Sequence, residues 1–504
     1  MSRQRVVGTV LDGATPLHFP FRVNREAEVP LHEYVSVNVK GRLILAEVIS
    51  VGARNPLFRE SYADGRMSGY EGYGYEVAVA EVLGYLESER IMRPKIAPKP
   101  GSQVFLADED ELRRFYASGG GIPITVGSLL HRRNVPVSID LNGMQFHLGI
   151  FAQTRGGKSY LAGVIMEEIL KNTRFPVVVI DMHGDYVMMD RSAEENIRHG
   201  MFNVVVYYPP RAPRISGVTA ESRTLKISPR EMSNEALMEL LGGLGPLQSI
   251  YVRRILKDLK SSGRPFSLAD VIDRVEEKIG DEGTTNRERE RLMSILARLE
   301  DLWEEVELPA EGTPISELLS EKTLSVICLR GLPARLQDVY TGLVIEQIFR
   351  NNVRHAGDYR RAPPVFIFIE EAHRVASQAA SRYAAKTIST VIREGAKFRV
   401  FLALISQRPR SIDPDVLANI GNYAVLRITN AQDQNIIESA SESFSHRLVE
   451  DLPALNQGEA VLVGPFVPLP AIIRVKSRET VHGGASEDLA EVNRRMTEER
   501  DEEW

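Results

Sequence analysis

The first hundred residues carry short runs of β-branched side chains that are interrupted by Gly, Asp, Asn and Pro. Four such runs lie at residues 6–10, 34–39, 43–49 and 77–82. Short strands at this spacing are typical of a small antiparallel barrel or sandwich. Residues 94–101 contain three prolines and one glycine, which cannot continue a sheet and so mark a boundary. The pattern predicts a β-barrel over residues 1–100.

From residue 120 onward, apolar runs alternate with long helical patterns. The candidate strands are residues 175–180, 202–207, 324–329, 364–369, 400–405 and 423–428. Strands that alternate with helices indicate a largely parallel α/β sheet. Residues 229–306 differ, because their apolar positions recur at helical spacing and no run reads as a strand.

These patterns divide the rest of the chain into three predicted parts. An α/β core is expected at residues 120–228 and 310–480, interrupted by a helical bundle at residues 229–309. Residues 481–504 are charged and amphipathic, and we interpret them as a C-terminal helical arm or tail.

Composition narrows the class of protein. The 504 residues are 43% hydrophobic and 26% charged, as in soluble globular proteins. No apolar stretch is long enough to span a bilayer, and a single cysteine, Cys328, excludes an internal disulfide framework. We therefore expect a cytoplasmic protein with no membrane partner. The net charge of −6 neither indicates nor excludes nucleic acid, because basic residues can be concentrated in a channel.

A phosphate-binding loop is predicted at residues 146–160, where an apolar run, a small-residue loop, Gly-Lys-Ser and a helical pattern follow one another. Backbone N–H groups of such a loop surround a β-phosphate, and the helix N-terminus adds its dipole. Lys158 would reach the β- and γ-phosphates, and the Ser159 hydroxyl would take a Mg²⁺ position. The predicted nucleotide-binding residues of this loop are Ala152, Gln153, Thr154, Arg155, Gly156, Gly157, Lys158, Ser159 and Tyr160.

Two adjacent carboxylates follow the apolar run at residues 365–369. Because neighbouring strand residues point to opposite faces, Glu370 and Glu371 can take different roles. We expect Glu370 to hold the hydration shell of Mg²⁺ and Glu371 to orient the water that attacks the γ-phosphorus. The alternative is that both acids only favour the positive end of the next helix.

Two further catalytic candidates lie near the same predicted sheet. Gln407 follows the run at residues 401–405 and could sense the γ-phosphate, or it could be an ordinary loop amide. Arg393 could supply a planar fork of donors from an adjacent subunit. Its competitors for that role are Lys397, Arg399 and Arg427. The alternative for each of these four cations is that it is an ordinary surface charge with no catalytic role.

The motifs together resemble the HerA/FtsK branch of P-loop ATPases, and within it the archaeal HerA family. The matching segments are residues 152–159, 180–186, 370–373, 393–398 and 406–409, and Leu426-Arg-Ile with Asp433. They follow the order of the family from about residue 147 to 433. Two positions depart from the family pattern. Arg155 replaces a usual glycine, and Ala396 replaces a second arginine beside the expected arginine finger.

The resemblance implies a RecA-like ATPase core, a HAS-barrel-like N-terminal domain and a homohexameric ring that uses ATP and Mg²⁺. It also implies an ATP-driven translocase or helicase with double-stranded DNA in a central channel, and a NurA-type nuclease partner in DNA end resection during double-strand break repair. Asp181 would support the nucleotide site, and Arg427 is counted with the nucleotide-binding residues. Residues 208–214, Arg408 and Arg410 could contact DNA. The direction of movement, 5'-3' or 3'-5', stays open.

Three other functions are compatible with parts of this sequence. The first is a motor of a DNA- or protein-pumping complex of the conjugation or secretion type. The second is a scaffold that binds nucleotide without hydrolysing it, although such a protein needs neither Glu371 nor Arg393. The third is a single-subunit enzyme of kinase type, for which the sequence offers no acceptor site.

Overall fold

The protein is described by a computed structural model over residues 5–54, 74–88, 90–117, 120–242, 244–377, 383–441 and 444–483. It divides into two compact units. The first comprises residues 1–142 and 459–476, and the second comprises residues 143–458 and 477–504. Most of the predicted C-terminal arm, from residue 484 onward, lies outside the described residues.

The first unit begins with a closed antiparallel barrel. Its strands are β1 (Val6–Val10), β2 (His18–Val23), β3 (Tyr34–Val39), β4 (Arg42–Arg54), β5 (Tyr75–Glu87), β6 (Arg90–Met92) and β7 (Gln103–Leu106). The strand order is β2-β1-β7-β3-β4-β5-β6, and pairing of β2 with β5 closes the sheet. Alternate residues such as Phe19, Phe21, Val35 and Val37 fill the interior. Closure removes the sheet edges that an open sheet would expose.

A short helix and a hairpin follow the barrel within the first unit. Helix α1 (Glu109–Phe115) precedes β8 (Pro123–Leu129) and β9 (Arg132–Asp140), which pair in an antiparallel manner.

The second unit is built on eight parallel strands. They are β10 (Leu148–Phe151), β11 (Val177–Asp181), β12 (Asn203–Tyr208), β13 (Glu221–Thr224), β14 (Thr323–Cys328), β15 (Val365–Ile369), β16 (Val400–Ser406) and β17 (Asn422–Val425). Their order is β13-β12-β14-β11-β15-β16-β10-β17. We call the edge where these strands end the carboxyl edge and the opposite one the amino edge. Every residue of β10, β11 and β14 to β17 is buried, which accounts for their apolar composition.

Helices cover this sheet and form the predicted insertion. They are α2 (Lys158–Asn172), α3 (Asn234–Leu241), α4 (Pro246–Ser261), α5 (Leu268–Gly280), α6 (Asn286–Glu305), α7 (Ile315–Leu318), α8 (Ala334–Arg354), α9 (Tyr383–Glu394), α10 (Pro414–Ala418), α11 (Ala431–Ala440) and α12 (His446–Asp451). The insertion consists of α3 to α6. Ser233, Ser267 and Thr285 cap three of these helices through their hydroxyl groups. The predicted P-loop α/β fold with a helical insertion and an N-terminal barrel is confirmed.

The chain then returns to the first unit with β18 (Glu459–Val463) and β19 (Ala471–Val475). β19 pairs with β18 and with β8, so β18-β19-β8-β9 is an antiparallel sheet. The sequence-based boundaries assigned these four strands to the ATPase core, whereas compactness groups them with the barrel. Their pairing joins segments far apart in the chain, which periodicity alone does not reveal.

Local contacts set the end of α9. The helix ends at Glu394, and a short 3₁₀ turn at Gly395–Phe398 follows it. A side chain at Gly395 would lie 2.6 Å from the carbonyl oxygen of Val400, so the turn needs glycine there. The strand expected to reach residue 428 ends at Val425.

Candidate active site

The loop between β10 and α2 folds tightly on itself. The Gly156 N–H donates to the carbonyl oxygen of Gln153 at 2.9 Å. A Cβ at Gly156 would lie 2.9 Å from the methyl carbon of Ala152, which is itself fully buried. Arg155 and Gly157 have left-handed φ angles of 61° and 93°. The strict phosphate-loop pattern begins with a glycine at the position of Ala152, whose methyl group is accommodated here. Position 156, in contrast, admits no side chain.

The segment that follows β17 holds one side of this phosphate loop. The Gln153 N–H donates to the carbonyl oxygen of Arg427 at 3.0 Å, and the Thr429 hydroxyl donates to Gln153 Oε1 at 3.0 Å. The Arg427 side chain is exposed beside the loop of its own chain. This location is compatible with a contact to nucleotide bound by the same chain.

Gln407 contacts the other side of the phosphate loop. The Thr154 hydroxyl donates to Gln407 Oε1 at 2.6 Å. Gln407 directly follows β16, whose Ser406 is aligned with Phe151 at the end of β10. Parallel pairing therefore brings Gln407 to the loop, and its role in sensing the γ-phosphate stays a prediction.

The two adjacent carboxylates both approach the loop lysine. Lys158 Nζ lies 2.9 Å from Glu371 Oε1 and 4.0 Å from Glu370 Oε1. The Ser159 hydroxyl donates to Glu370 Oε1 at 2.8 Å. We expected the carboxylates to be separated on opposite faces of a strand. That expectation is wrong, because β15 ends at Ile369 and Glu371 adopts a left-handed φ of 46°, which turns it toward Lys158.

Burial and charge determine the protonation tendencies of this cluster. Burial raises the pKa of Glu370 well above its ordinary value, and the nearby carboxylates of Asp181 and Asp185 raise it further. Glu370 Oε2 has no hydrogen-bond partner among the described residues. Burial lowers the pKa of Lys158, but attraction to Glu371 and Glu370 outweighs this effect, and the pKa is raised. The lysine is therefore positively charged at neutral pH.

Asp181 organises the turn after β11. Its Oδ1 accepts hydrogen bonds from the N–H groups of His183, Gly184 and Asp185 at 3.1, 2.7 and 3.1 Å. Its Oδ2 accepts from the N–H of Tyr186 at 3.0 Å. Asp181 thus supports the site indirectly, by fixing the turn that carries Asp185. Sequence reasoning gave Asp185 no role, although it lies within the conspicuous Asp-Met-His-Gly-Asp motif.

We expect Asp181→Ala to lower the free energy of unfolding by roughly 2–4 kcal/mol, because four N–H groups, two of them fully buried, lose their acceptor. Asp181→Asn keeps one side-chain oxygen and should cost less. Chemical denaturation of both variants beside the wild type measures the difference. Equal stability of the alanine variant and the wild type would contradict this structural role.

His373 is a neighbour of the catalytic candidates that the sequence analysis left without a role. Its Nδ1 lies 3.1 Å from Ser406 Oγ and 3.2 Å from Glu371 Oε2. Burial lowers the pKa of His373, so the imidazole is neutral at pH 7. Its position two residues after Glu371 is the signal that could have suggested this contact.

Residues 477–483 lie across the helix that begins at the phosphate loop. The N–H of Arg478 donates to the Tyr160 hydroxyl at 2.7 Å. The Arg478 guanidinium is buried, with its Nε 3.4 Å from Glu167 Oε1 on α2. Gly163 leaves space for this guanidinium, since a Cβ there would lie 2.7 Å from its Cζ. The sequence analysis missed this packing, which fixes the first turns of α2.

The remaining arginine-finger candidates lie far from the phosphate loop of their own chain. Arg393, Lys397 and Arg399 precede β16 at the amino edge, whereas the loop follows β10 at the carboxyl edge. β16 spans seven residues, so about 20 Å separates the two edges. Arg393 is exposed on the last turn of α9. These three cations can reach a phosphate loop only in another copy of the chain.

The predicted DNA-contacting arginines border the carboxyl edge. Arg408 and Arg410 help to line a cavity of ≈ 780 Å³ beside Glu371 and Gln407. Arg410 Nη1 donates to Gln432 Oε1 at 2.5 Å. Residues 208–214 follow β12, and the Arg214 guanidinium lies 5.6 Å from the centroid of the Tyr208 ring.

Among the described residues, no helix is both long and apolar enough to cross a membrane.

Comparison with known proteins shows similarity to the HerA helicases. Residues 124–348 match the model of the central domain of helicase HerA. A probable helicase of Methanocaldococcus jannaschii is 28% identical over 412 residues, which cover 79% of this chain and 75% of the relative. The DNA double-strand break repair helicase HerA of Pyrococcus furiosus is 26% identical over 453 residues, which cover 81% of this chain and 79% of the relative.

Solved structures show the same fold at low sequence identity. VirB4 of Thermoanaerobacter pseudethanolicus superposes with a TM-score of 0.53 at 13% identity, covering 72% of this chain and 97% of that protein. The bacterial conjugative coupling protein TrwB gives a TM-score of 0.50 at 15% identity, covering 75% and 95%. The family match and the relatives together confirm the resemblance inferred from the motifs: residues 124–348 match the HerA helicase central domain, and the chain is similar to the HerA helicases over most of its length.

Proposed function

We propose that this chain is an ATP hydrolase that drives translocation along double-stranded DNA as a homohexameric ring. The observation that carries the proposal is the convergence of Lys158, Ser159, Glu370 and Glu371 at the start of α2. A loop lysine beside a hydroxyl and two carboxylates is the set of groups that phosphoryl transfer requires. The HerA relatives, named as DNA double-strand break repair helicases, supply the DNA substrate of the proposal.

The residues around Ser159 fit a magnesium ion bound with ATP. Glu370 Oε2 is buried without a hydrogen-bond partner among the described residues, and Asp181 and Asp185 add negative charge nearby. Such a cluster favours a divalent cation with its water shell. Ser159 and Glu370 would hold the ion, which would neutralise charge on the β- and γ-phosphates.

Glu371 is the proposed base that orients the attacking water. In the structure, its Oε1 pairs with Lys158 Nζ at 2.9 Å. When Lys158 turns to the phosphates, Glu371 Oε1 becomes available to accept a hydrogen bond from water. Gln407, held against Thr154, is within reach of the same region and would sense the γ-phosphate. Arg393 of an adjacent copy would stabilise the charge on the transferred group.

The proposed biological setting is end resection in double-strand break repair, with a NurA-type nuclease as the partner that cuts DNA. The names of the HerA relatives, which are double-strand break repair helicases, support this setting. Residues 208–214 and Arg408 are the proposed DNA contacts, because they are basic and border the carboxyl edge. Such contacts to phosphates depend on salt rather than on base sequence.

Measurements of ATP turnover with blunt duplex, overhang and single-stranded DNA, with and without a candidate nuclease, test the proposal. We expect duplex DNA to stimulate turnover and duplex affinity to fall with rising salt. Lys158→Ala should abolish turnover in every condition. Turnover that persists in Lys158→Ala would contradict the site. Turnover indifferent to every DNA would contradict DNA translocation and favour a protein-pumping motor.

A further inference from the structure

A strongly cationic surface lies at the amino edge, opposite the phosphate loop. We call it the amino-edge patch and define it as residues 350–361 and 393–399. These segments contain seven Lys or Arg residues and two acidic ones, in a chain whose net charge is −6. Val365 and Val400, which begin β15 and β16, are aligned, so the segments before them meet at one edge. The patch therefore concentrates positive charge at a single place in the fold.

Buried side chains fasten the two segments together. Asn352 is fully buried, and its Nδ2 donates to the carbonyl oxygens of Pro363 and Phe398, each at 3.0 Å. The rings of Phe349 and Phe398 meet edge to face, with centroids 5.6 Å apart. A buried amide that satisfies two backbone carbonyls fixes the geometry of both segments. The two segments of the patch therefore form one surface of defined geometry.

This surface presents one aromatic side chain to solvent. Tyr359 is 70% exposed, the most of the large hydrophobic side chains in the described part of the chain. Asp358 Oδ1 accepts hydrogen bonds from the N–H groups of Arg360 and Arg361 at 3.0 and 3.3 Å, which holds the backbone beside it. The Arg399 guanidinium covers one ring face, with Cζ 4.4 Å from the centroid.

Arg399, whose guanidinium covers the Tyr359 ring, is itself conformationally constrained. It has a left-handed φ of 61°, and its Nε is buried without a hydrogen-bond partner among the described residues. The contact of its guanidinium with the Tyr359 ring helps to hold that ring in place. An exposed tyrosine on a fixed backbone loses little entropy when a partner covers it, which suits a contact surface.

We propose that Tyr359 packs against the phosphate loop of a second copy of this chain and thereby positions Arg393 at that copy's nucleotide. This inference rests on the proposed function. Position selects the partner, because Tyr359 and Arg393 belong to the same patch and Arg393 can reach a phosphate loop only in another copy. A triphosphate bound at that loop would also attract the cationic patch. Thr154, Arg155 and Tyr160 are exposed residues of that loop and of the first turn of α2. A head-to-tail contact of this kind repeats around a ring.

Substitution of Tyr359 tests the energetic part of the proposal. Tyr359→Ala should lower duplex-stimulated ATP turnover by roughly tenfold, the effect of losing an aromatic interface anchor. Tyr359→Phe keeps the ring and should stay near the wild-type rate. Trp303→Ala removes another exposed aromatic side chain, 44% exposed on α6, and should have no effect. Wild-type turnover of Tyr359→Ala would overturn the proposal.

Cross-linking identifies what covers Tyr359. In Tyr359→p-benzoylphenylalanine, illumination with an ATP analogue should yield peptides joined to residues 152–160. Because about 20 Å of strand separates the two edges of one chain, such products must join two copies. Products joined to DNA, or no product with this loop, would overturn the proposal. The proposed function would fail separately, through turnover that persists in Lys158→Ala.

Discussion

Arg393→Ala is expected to lower ATP turnover by roughly 10³–10⁵-fold, the usual cost of losing an arginine that acts across an interface. The side chain lies at the amino edge and cannot reach its own phosphate loop, so the loss must arise between copies. Because Arg393 is exposed, the variant should keep the thermal stability of the wild type. Steady-state turnover with duplex DNA measures the effect.

Mixed assemblies show whether this arginine acts in trans. Neither Arg393→Ala nor Lys158→Ala should turn over ATP alone. In an equal mixture, about a quarter of the sites combine an intact phosphate loop with an intact neighbouring arginine, if copies assort at random. We therefore expect turnover to reappear on mixing. If inactive copies block their neighbours, nucleotide-dependent cross-links between copies replace turnover as the measurement. Full activity of Arg393→Ala alone would contradict the role.

Parallel variants separate Arg393 from its neighbours. Arg393→Lys keeps the charge but loses the planar fork of donors, so it should recover little turnover. Lys397→Ala removes a nearby exposed cation and should leave turnover close to that of the wild type. If Lys397→Ala were the inactive variant instead, the finger would be misassigned within the same segment.

Glu371→Gln is expected to lower ATP turnover by roughly 10²–10⁴-fold while ATP still binds. The amide retains the size of the side chain but cannot accept a proton or polarise water as a carboxylate does. Lys158 loses its 2.9 Å partner in this variant, and Glu370, at 4.0 Å, remains as its neighbour. Measurements of single-turnover hydrolysis and of equilibrium ATP binding distinguish the two effects.

Glu370→Gln is the matched control, because it removes the neighbouring carboxylate. It should raise the Mg²⁺ concentration needed for half-maximal turnover, which Glu371→Gln should leave nearly unchanged. The different responses follow from the Ser159 hydroxyl, which donates to Glu370 and not to Glu371. If both variants shifted the Mg²⁺ requirement equally, the proposed division of roles would be wrong.

The phosphate loop and the buried strands could be recognised from sequence because their causes are local. Gly156 and Gly157 are required by close contacts and a left-handed backbone within the loop itself. The strands before Glu370 and Gln407 are continuously apolar because both faces of a parallel sheet are covered. These features depend on neighbours along the chain, and a single sequence contains that information.

Other parts of the site depend on residues that are distant in the chain. Nothing in the local pattern indicates that Arg478 lies against Tyr160 and Glu167, or that Asp181 uses both oxygens on one turn. The turn of Glu371 toward Lys158 is a backbone conformation that an apolar run followed by two glutamates does not specify.

The amino-acid sequence by itself determined the class of this protein: an α/β P-loop fold with a barrel before it and a helical insertion within it, related to the HerA helicases. The fold class can be read from the sequence because hydrophobic periodicity and the glycine requirements of the phosphate loop depend on residues only a few positions apart. Only the tertiary structure decided which charged groups meet. Strand order brings Lys158, Glu370 and Glu371 to one edge and leaves Arg393 and Tyr359 at the other, since register and long-range pairing set those distances.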